Sequence, residues 1–262
     1  MPDLTVATVV LVLVAADAVG RARHPQRLPA SVRHTLPTTS FYLGLLAVLV
    51  ALEGPLDHAA DTSQAWHMAQ HVLLLTIAAP LLVTGAPLSR AAWVVPRSWT
   101  GRIRRSRAVR TAFSATPALV AFAIALQSAA IAVWHMPGPY QAAVRSPVVH
   151  ASEHLVFLGA GVLLWWALVH TSRAGLGMGV VALFVAALPG TAFGVLMTFA
   201  RTPWYPVYGT GPAALRDQQL AGVVMWAVGN TVYVIAAVAL FAAWLARLER
   251  ATPARPTVQA GS

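Results

Sequence analysis

The chain has no cysteine and no lysine. Without thiols it can form no disulfide, no thiolate metal site and no thiol nucleophile, so any soft metal must be held by histidine and methionine. Charge is scarce as well: charged residues make up 10% of the 262, and only eight are acidic. No cluster of carboxylate oxygens suited to calcium or magnesium is present. There is no internal repeat, and no break in composition marks a second domain.

What fills the chain is apolar: 58% of residues are hydrophobic, and the mean hydropathy is +0.66. That is the composition of a polytopic membrane protein. A span needs about 20 predominantly apolar residues, and seven runs meet or approach this: Leu4 to Gly20, Leu36 to Leu52, Ala65 to Thr84, Phe113 to Val133, Val149 to Val169, Met178 to Ala200 and Leu220 to Leu245. The second is the weakest, because Pro37 and a Thr-Thr-Ser stretch shorten it. The start, Met-Pro-Asp, has no basic segment, so the first run reads as retained although Ala16-Asp17-Ala18 mimics a cleavage site.

A net charge of +10 suggests nucleic acid in a soluble protein, but here all 18 basic residues are arginines lying between apolar runs. Fifteen fall in alternate connections: Arg21, Arg23, Arg27 and Arg33; Arg90, Arg97, Arg102, Arg104, Arg105, Arg107 and Arg110; Arg173; and Arg247, Arg250 and Arg255. The opposite connections hold only Arg145, Arg201 and Arg216, with the acids Glu53, Asp57 and Asp61. This asymmetry puts the N-terminus outside and the C-terminus in the cytoplasm, facing anionic headgroups, and predicts no nucleic-acid partner. The expected architecture is therefore an all-α, seven-helix transmembrane bundle forming one domain over residues 1–250. A disordered cytoplasmic tail over 251–262 is rich in Pro, Ala and Thr.

The chain is organised around Trp66 to Pro87, where two histidines four residues apart open a long apolar run. Residues at i and i+4 share a helix face, so His67 and His71 can point at one object. Intramembrane imidazoles are costly unless paired or used. The topology places more such groups at the same outer depth: His135 and Met136 end the fourth span, His150, Glu153 and His154 open the fifth, Met197 lies near the outer end of the sixth, and Asp217 and Met225 flank the start of the seventh. Each has a structural explanation by itself. His135 could cap a helix, and the methionines could be packing. Two i,i+4 pairs in one leaflet point instead to a metal site made by His67, His71, His135, His150 and His154, with Met68, Met136, Met197 and Met225 as additional donors. Glu153 and Asp217 are expected as acceptors that orient an imidazole. Imidazole with thioether favours copper, as Cu(I) or Cu(II), over zinc.

Three other chemistries use the same residues. His150-Ala-Ser-Glu153-His154 matches the H-x-x-E-H pattern of zinc hydrolases, with glutamate as general base. A b-type haem could be held between histidines of two spans, His67 or His71 facing His150 or His154. Membrane di-iron hydroxylases use H-x-x-x-H boxes, but on the cytoplasmic face, opposite to the side expected here.

The motifs in order are His67-Met-Ala-Gln-His71 with Pro80-Leu-Leu-Val-Thr-Gly-Ala-Pro87, Trp134-His-Met-Pro-Gly-Pro-Tyr140, His150-Ala-Ser-Glu-His-Leu-Val-Phe157 with Trp165-Trp166, Pro203-Trp-Tyr205, and Asp217-Gln-Gln-Leu-Ala-Gly222 with Met225-Trp226. In combination they resemble the CtaG family, the caa3-type cytochrome c oxidase assembly factors of bacteria. The resemblance implies a non-enzymatic, seven-span protein of the bacterial plasma membrane that helps mature a haem-copper oxidase by handling copper for its CuA or CuB centre. Its partners would be an oxidase subunit and an extracytoplasmic copper donor, and a homodimer remains open. A single-span, cysteine-based assembly family shares the CtaG name, and this cysteine-free chain departs from it. The resemblance does not itself say which residues bind metal.

Overall fold

The computed structural model describes residues 4–23, 35–85, 116–171 and 175–251. Most of the arginines that set the expected topology lie outside the described residues, as does the expected tail from 252 onward. Every regular element among the described residues is helical. In chain order these are α1 (Leu4–Arg23), α2 (Thr35–Leu52), the short α3 (Pro55–Ala60), α4, α5 (Pro117–Trp134), α6 (Pro137–Arg145), α7 (Pro147–Thr171), α8 (Leu176–Thr198), a 3-10 turn at Pro206–Tyr208, and α9. Helix α4 runs through Gln64–Val72, a π-helical stretch at Leu73–Ala78 and Ala79–Thr84, while α9 runs through Pro212–Val223, a second π-helical stretch at Val224–Val228 and Gly229–Ala251.

Local chemistry sets the boundaries. Proline opens α5, α6, α7 and α9, where its missing N–H costs nothing and its fixed φ suits the first turn. Thr116 caps α5, its Oγ1 accepting from the Leu119 N–H at 3.2 Å. The same helix stops before Pro137, because the residue preceding a proline is driven out of the helical region; Met136 has φ −67° and ψ 141°.

Among the described residues five helices are long and apolar enough to cross a membrane: Gln64–Thr84, Pro117–Trp134, Pro147–His170, Leu176–Thr198 and Pro212–Arg250. Two shorter apolar segments, Val6–Val19 and Thr38–Leu52, belong to α1 and α2. These seven helices correspond in order to the seven expected runs. The last is much longer than its expected 220–245, since α9 begins before Asp217. Large apolar side chains face outward, among them Leu11 on α1, Phe184 on α8 and Ile235 on α9, each more than 60% exposed. With lipid as solvent this is the favourable face, and the chain is a multi-pass membrane protein.

The five long helices form a closed ring in which α4 meets α7, α7 meets α5, α5 meets α8, α8 meets α9 and α9 returns to α4; α2 packs on the outside of α4, with α1 against α2. Where α8 crosses α9, Gly194 and Gly222 allow the backbones to touch: a Cβ on Gly222 would lie 2.5 Å from both Gly194 O and Thr198 Oγ1. At the α7–α4 contact, Trp165 Nε1 donates to Leu75 O at 3.0 Å, a carbonyl within the first π-helical stretch, where the ordinary i→i−4 ladder is interrupted. The buried Asp17 of α1 accepts from Tyr42 Oη of α2 at 2.8 Å, tying the outer pair of helices together. The sequence suggests Arg21 as its partner, but that side chain lies outside the described residues.

Candidate metal centre

Helix α4 begins at a cap built by a distant residue. Ser63, in extended conformation, precedes the first turn, and the Asp217 carboxylate of α9 accepts from Ser63 Oγ at 2.8 Å, Gln64 N at 2.6 Å and Ala65 N at 3.4 Å. A carboxylate there satisfies orphan N–H groups and opposes the positive end of the helix dipole. Asp217 is thus a helix anchor, and orients no imidazole as the sequence suggested. Gln70 adds a second tether, its Nε2 donating to Ala51 O at 2.7 Å and Asp57 Oδ1 at 2.9 Å.

The helix anchored in this way carries His67 and His71 one turn apart, with ring centroids 4.5 Å from each other and planes nearly perpendicular. Helix α7 presents His150 and His154, 4.2 Å apart, from the opposite wall. Across the gap His67 stacks on His150 at 4.9 Å, and His71 lies 5.5 Å from His154. His135, at the end of α5, is 6.4 Å from His71. All five histidines of the expected set therefore meet in one cluster, and four of them, His67, His71, His135 and His154, are at most 5% exposed.

Glu153 sits inside the cluster. Although it shares a helix with His150 and His154, it faces the α4 pair: Oε2 is 3.3 Å from His67 Nε2, and Oε1 is 3.6 Å from His71 Nε2. The carboxylate is fully buried, and neither oxygen has a hydrogen-bond partner. His67, His71 and Glu153 each offer one ligand atom, all within 4.8 Å of one another. Donor atoms about 2.0–2.1 Å from one tetrahedral ion lie roughly 3.3–3.4 Å apart; the approach of Oε2 to His67 Nε2 has that length, and that of Oε1 to His71 Nε2 is longer. Glu153 is placed to ligate directly, beyond the orienting role expected from sequence.

The protonation pattern fits the same reading. His135 Nδ1 is 2.8 Å from Ile131 O; a carbonyl only accepts, so Nδ1 carries the ring proton and Nε2 keeps its lone pair. Tyr208 Oη donates to Ala60 O at 3.1 Å and lies 3.3 Å from His67 Nδ1. With the hydroxyl proton given to Ala60, the oxygen accepts from Nδ1–H, and the lone pair of His67 Nε2 then faces a carboxylate oxygen. Two lone pairs at that distance repel unless a proton or a cation lies between them. The Nε2 atoms of His67, His71, His135, His150 and His154 are all buried without a hydrogen-bond partner, an arrangement that costs free energy in an apolar setting unless a ligand answers it.

An aromatic cap closes one side of the cluster. Tyr140 of α6 packs on His67 at 5.0 Å and stacks on Tyr205 at 3.9 Å, and Tyr205 Oη donates to the His135 carbonyl at 2.7 Å. Burial pushes the hydroxyls of Tyr140, Tyr205 and Tyr208 well above the ordinary phenol value, and the Glu153 charge adds to the effect in all three. They remain protonated at physiological pH. The role of Tyr208 was not legible beforehand, since it stands in a loop with only a Pro-Val-Tyr signal.

The methionines divide. Met68, Met197 and Met225 are buried in an apolar cluster that also holds Tyr140 and Phe157, whereas Met136 is 52% exposed and stands just before the first turn of α6. Between the histidines and the middle of the bundle lies a cavity of about 40 Å³ lined in part by Met68, His71, His135 and Met225.

Comparison with curated proteins and with solved structures gives no match. A family model described as cytochrome c oxidase caa3 assembly factor (Caa3_CtaG) matches residues 16–247. That interval takes in all five long helices almost to the end of α9, the histidine cluster and its aromatic cap, and most of the α1–α2 pair, so the chain belongs to the cytochrome c oxidase caa3 assembly factor family.

Proposed function

We propose that this oxidase assembly factor binds copper in the His/Glu cluster at the extracytoplasmic end of its helix ring and hands it to a subunit of a haem-copper oxidase. The observation that carries the reading is the convergence of His67, His71 and Glu153, with ligand atoms within 4.8 Å of one another and no hydrogen-bond partners, in a member of an oxidase assembly family. His150, His154 and His135 stand close enough to exchange with them. Several interchangeable imidazoles suit a protein that must release its cargo, because ligands can be replaced one at a time as the ion leaves. Copper is favoured over zinc because thioethers accompany the imidazoles. The arginine distribution supports seven spans with the N-terminus outside and the C-terminus in the cytoplasm of a bacterial cell, which opens the cluster to an extracytoplasmic donor.

A haem is disfavoured by the packing, since His67 stacks on His150 at 4.9 Å and His71 lies 5.5 Å from His154, which leaves no slot for a macrocycle between α4 and α7. A zinc hydrolase would use Glu153 as base toward a bound water, but its oxygens are directed at the two α4 histidines, where a ligand role is the better fit. Elemental analysis and an absorption spectrum of detergent-purified protein decide the matter. Copper bound by the wild type and lost in the His67→Ala, His71→Ala double variant, with no Soret band, is the expected result. Absence of copper from the wild type after loading would overturn the reading, leaving a structural histidine network in an assembly scaffold.

A further inference from the structure

The cavity of about 40 Å³ lies one to two turns deeper than the His67–Glu153 contact, between α4, α5, α8 and α9. It is chemically unlike the cluster above it. No carboxylate lines it. Its upper wall is made by His71 and His135 and by the thioether-bearing Met68 and Met225, and its floor by the amides Gln127 and Asn230. Both π-helical stretches border it, and Met225 belongs to the second of them. Such interruptions cluster at functional sites, because the inserted residue turns side chains out of the ordinary helical register. Several buried polar atoms here have no partner: both ring nitrogens of His71, His135 Nε2 and Gln127 Oε1. The His135 nitrogen is a lone-pair donor, its Nδ1 being committed to Ile131 O.

We propose that the cavity is a second, softer metal subsite that takes monovalent copper on the Met68 and Met225 thioethers and His135 Nε2, with His71 shared with the cluster above. Thioether with imidazole selects Cu(I) among the available ions. The absence of a counter-charge selects in the same direction: the Born cost of an ion in a low-dielectric interior scales with the square of its charge, so a monovalent ion pays roughly a quarter of what a divalent one does. The volume exceeds the roughly 10–15 Å³ needed for one water, leaving room for an ion and a water held by Gln127 Oε1. The two levels then differ in kind, with carboxylate and imidazoles outside and thioethers with imidazole inside, and His71 is the point of exchange between them. This extends the copper reading above but rests on separate ligands.

Anaerobic loading with Cu(I), and separately with Ag(I) as a monovalent soft probe, tests it. In selenomethionine-labelled protein loaded with Cu(I), absorption at the selenium edge should show a copper neighbour; its absence overturns the proposal without any mutation. The Met68→Leu, Met225→Leu variant keeps volume and apolarity and should lose Ag(I) affinity at least tenfold while retaining Cu(II). The His67→Ala, Glu153→Gln variant should show the reverse. Unchanged Ag(I) binding in the methionine variant, or loss of both metals in the other, means that there is one site and no inner level. Cu(II) bound by the wild type with no binding of Cu(I) or Ag(I) would sink the inner subsite and leave the outer reading standing, whereas soft ions held without Cu(II) would do the opposite.

Discussion

Glu153 is the residue on which the centre depends most. It is a buried carboxylate between two imidazoles, and its charge needs compensation by a proton or an ion. Glu153→Gln keeps its shape and removes that charge, so copper affinity is expected to fall by roughly 10–100-fold, measurable by competition with a chelator. Tyr208→Phe deletes only the hydroxyl beside His67 Nδ1, and the weaker end of the same range is expected, about tenfold; unchanged affinity would mean that the His67 tautomer is set by something else. Because a protonated imidazole cannot ligate, acid strong enough to protonate the buried rings should release the metal. Metal retained in full under acid that protonates the rings would rule out imidazole ligation. Tyr140, Tyr205 and Tyr208 act at the other end of the scale. Their phenols are raised above the ordinary value of 10.0, so above about pH 10 the unfolded chain sheds protons that the folded one keeps, and stability falls with rising pH. Thermal unfolding between about pH 9 and about pH 11 should show that decline, and Tyr140→Phe with Tyr205→Phe should flatten it.

At the level of elements, the centre is precise because its helices are held at their ends and crossings. Asp217 reaches from α9 to cap α4 two residues before His67. Asp217→Ala leaves the Gln64 and Ala65 N–H groups without this acceptor, a loss of about 1–2 kcal/mol, and should lower both the melting temperature and the copper affinity, although Asp217 touches none of the histidines' ring nitrogens. Preserved affinity at reduced stability would show that the cap holds the fold and not the centre. Gly222→Val sits at the α8–α9 contact, where even one added carbon would meet Gly194 O and Thr198 Oγ1. Close approach of small residues is how helices pack when lipid removes the hydrophobic drive between them. This substitution should therefore separate the helices and reduce the yield of folded protein in size-exclusion chromatography.

For the whole molecule, the absence of cysteine makes topology directly measurable. Met136→Cys would introduce a lone thiol at an exposed position, and a membrane-impermeant maleimide should label it on intact cells if the cluster lies on the outer side. Labelling only after lysis would invert the orientation and remove the cluster from any extracytoplasmic donor. The five-helix ring explains why the centre lies on the axis: α4, α5 and α7 bring the imidazoles, α9 and α8 close the circle, and α1 and α2 buttress α4 from outside.

Hydropathy marked which segments are helical, because a 20-residue apolar run in lipid must satisfy its backbone within itself; each of the seven runs corresponds to a helix among the described residues, and five of these are long and apolar enough to cross a membrane. Histidine spacing likewise marked His67, His71, His150 and His154 as pairs, since i,i+4 geometry is a property of the helix itself. Which helices face one another was not legible, because lipid-facing and core-facing apolar residues look alike in a sequence, and closing the ring depends on contacts such as Gly194 with Gly222. For the same reason only the folded chain decided that Glu153 turns toward α4, that Asp217 caps a helix 150 residues away, and that Met68 and Met225 share a cavity while Met136 does not. Those roles come from distances between segments remote in sequence, which no local periodicity encodes.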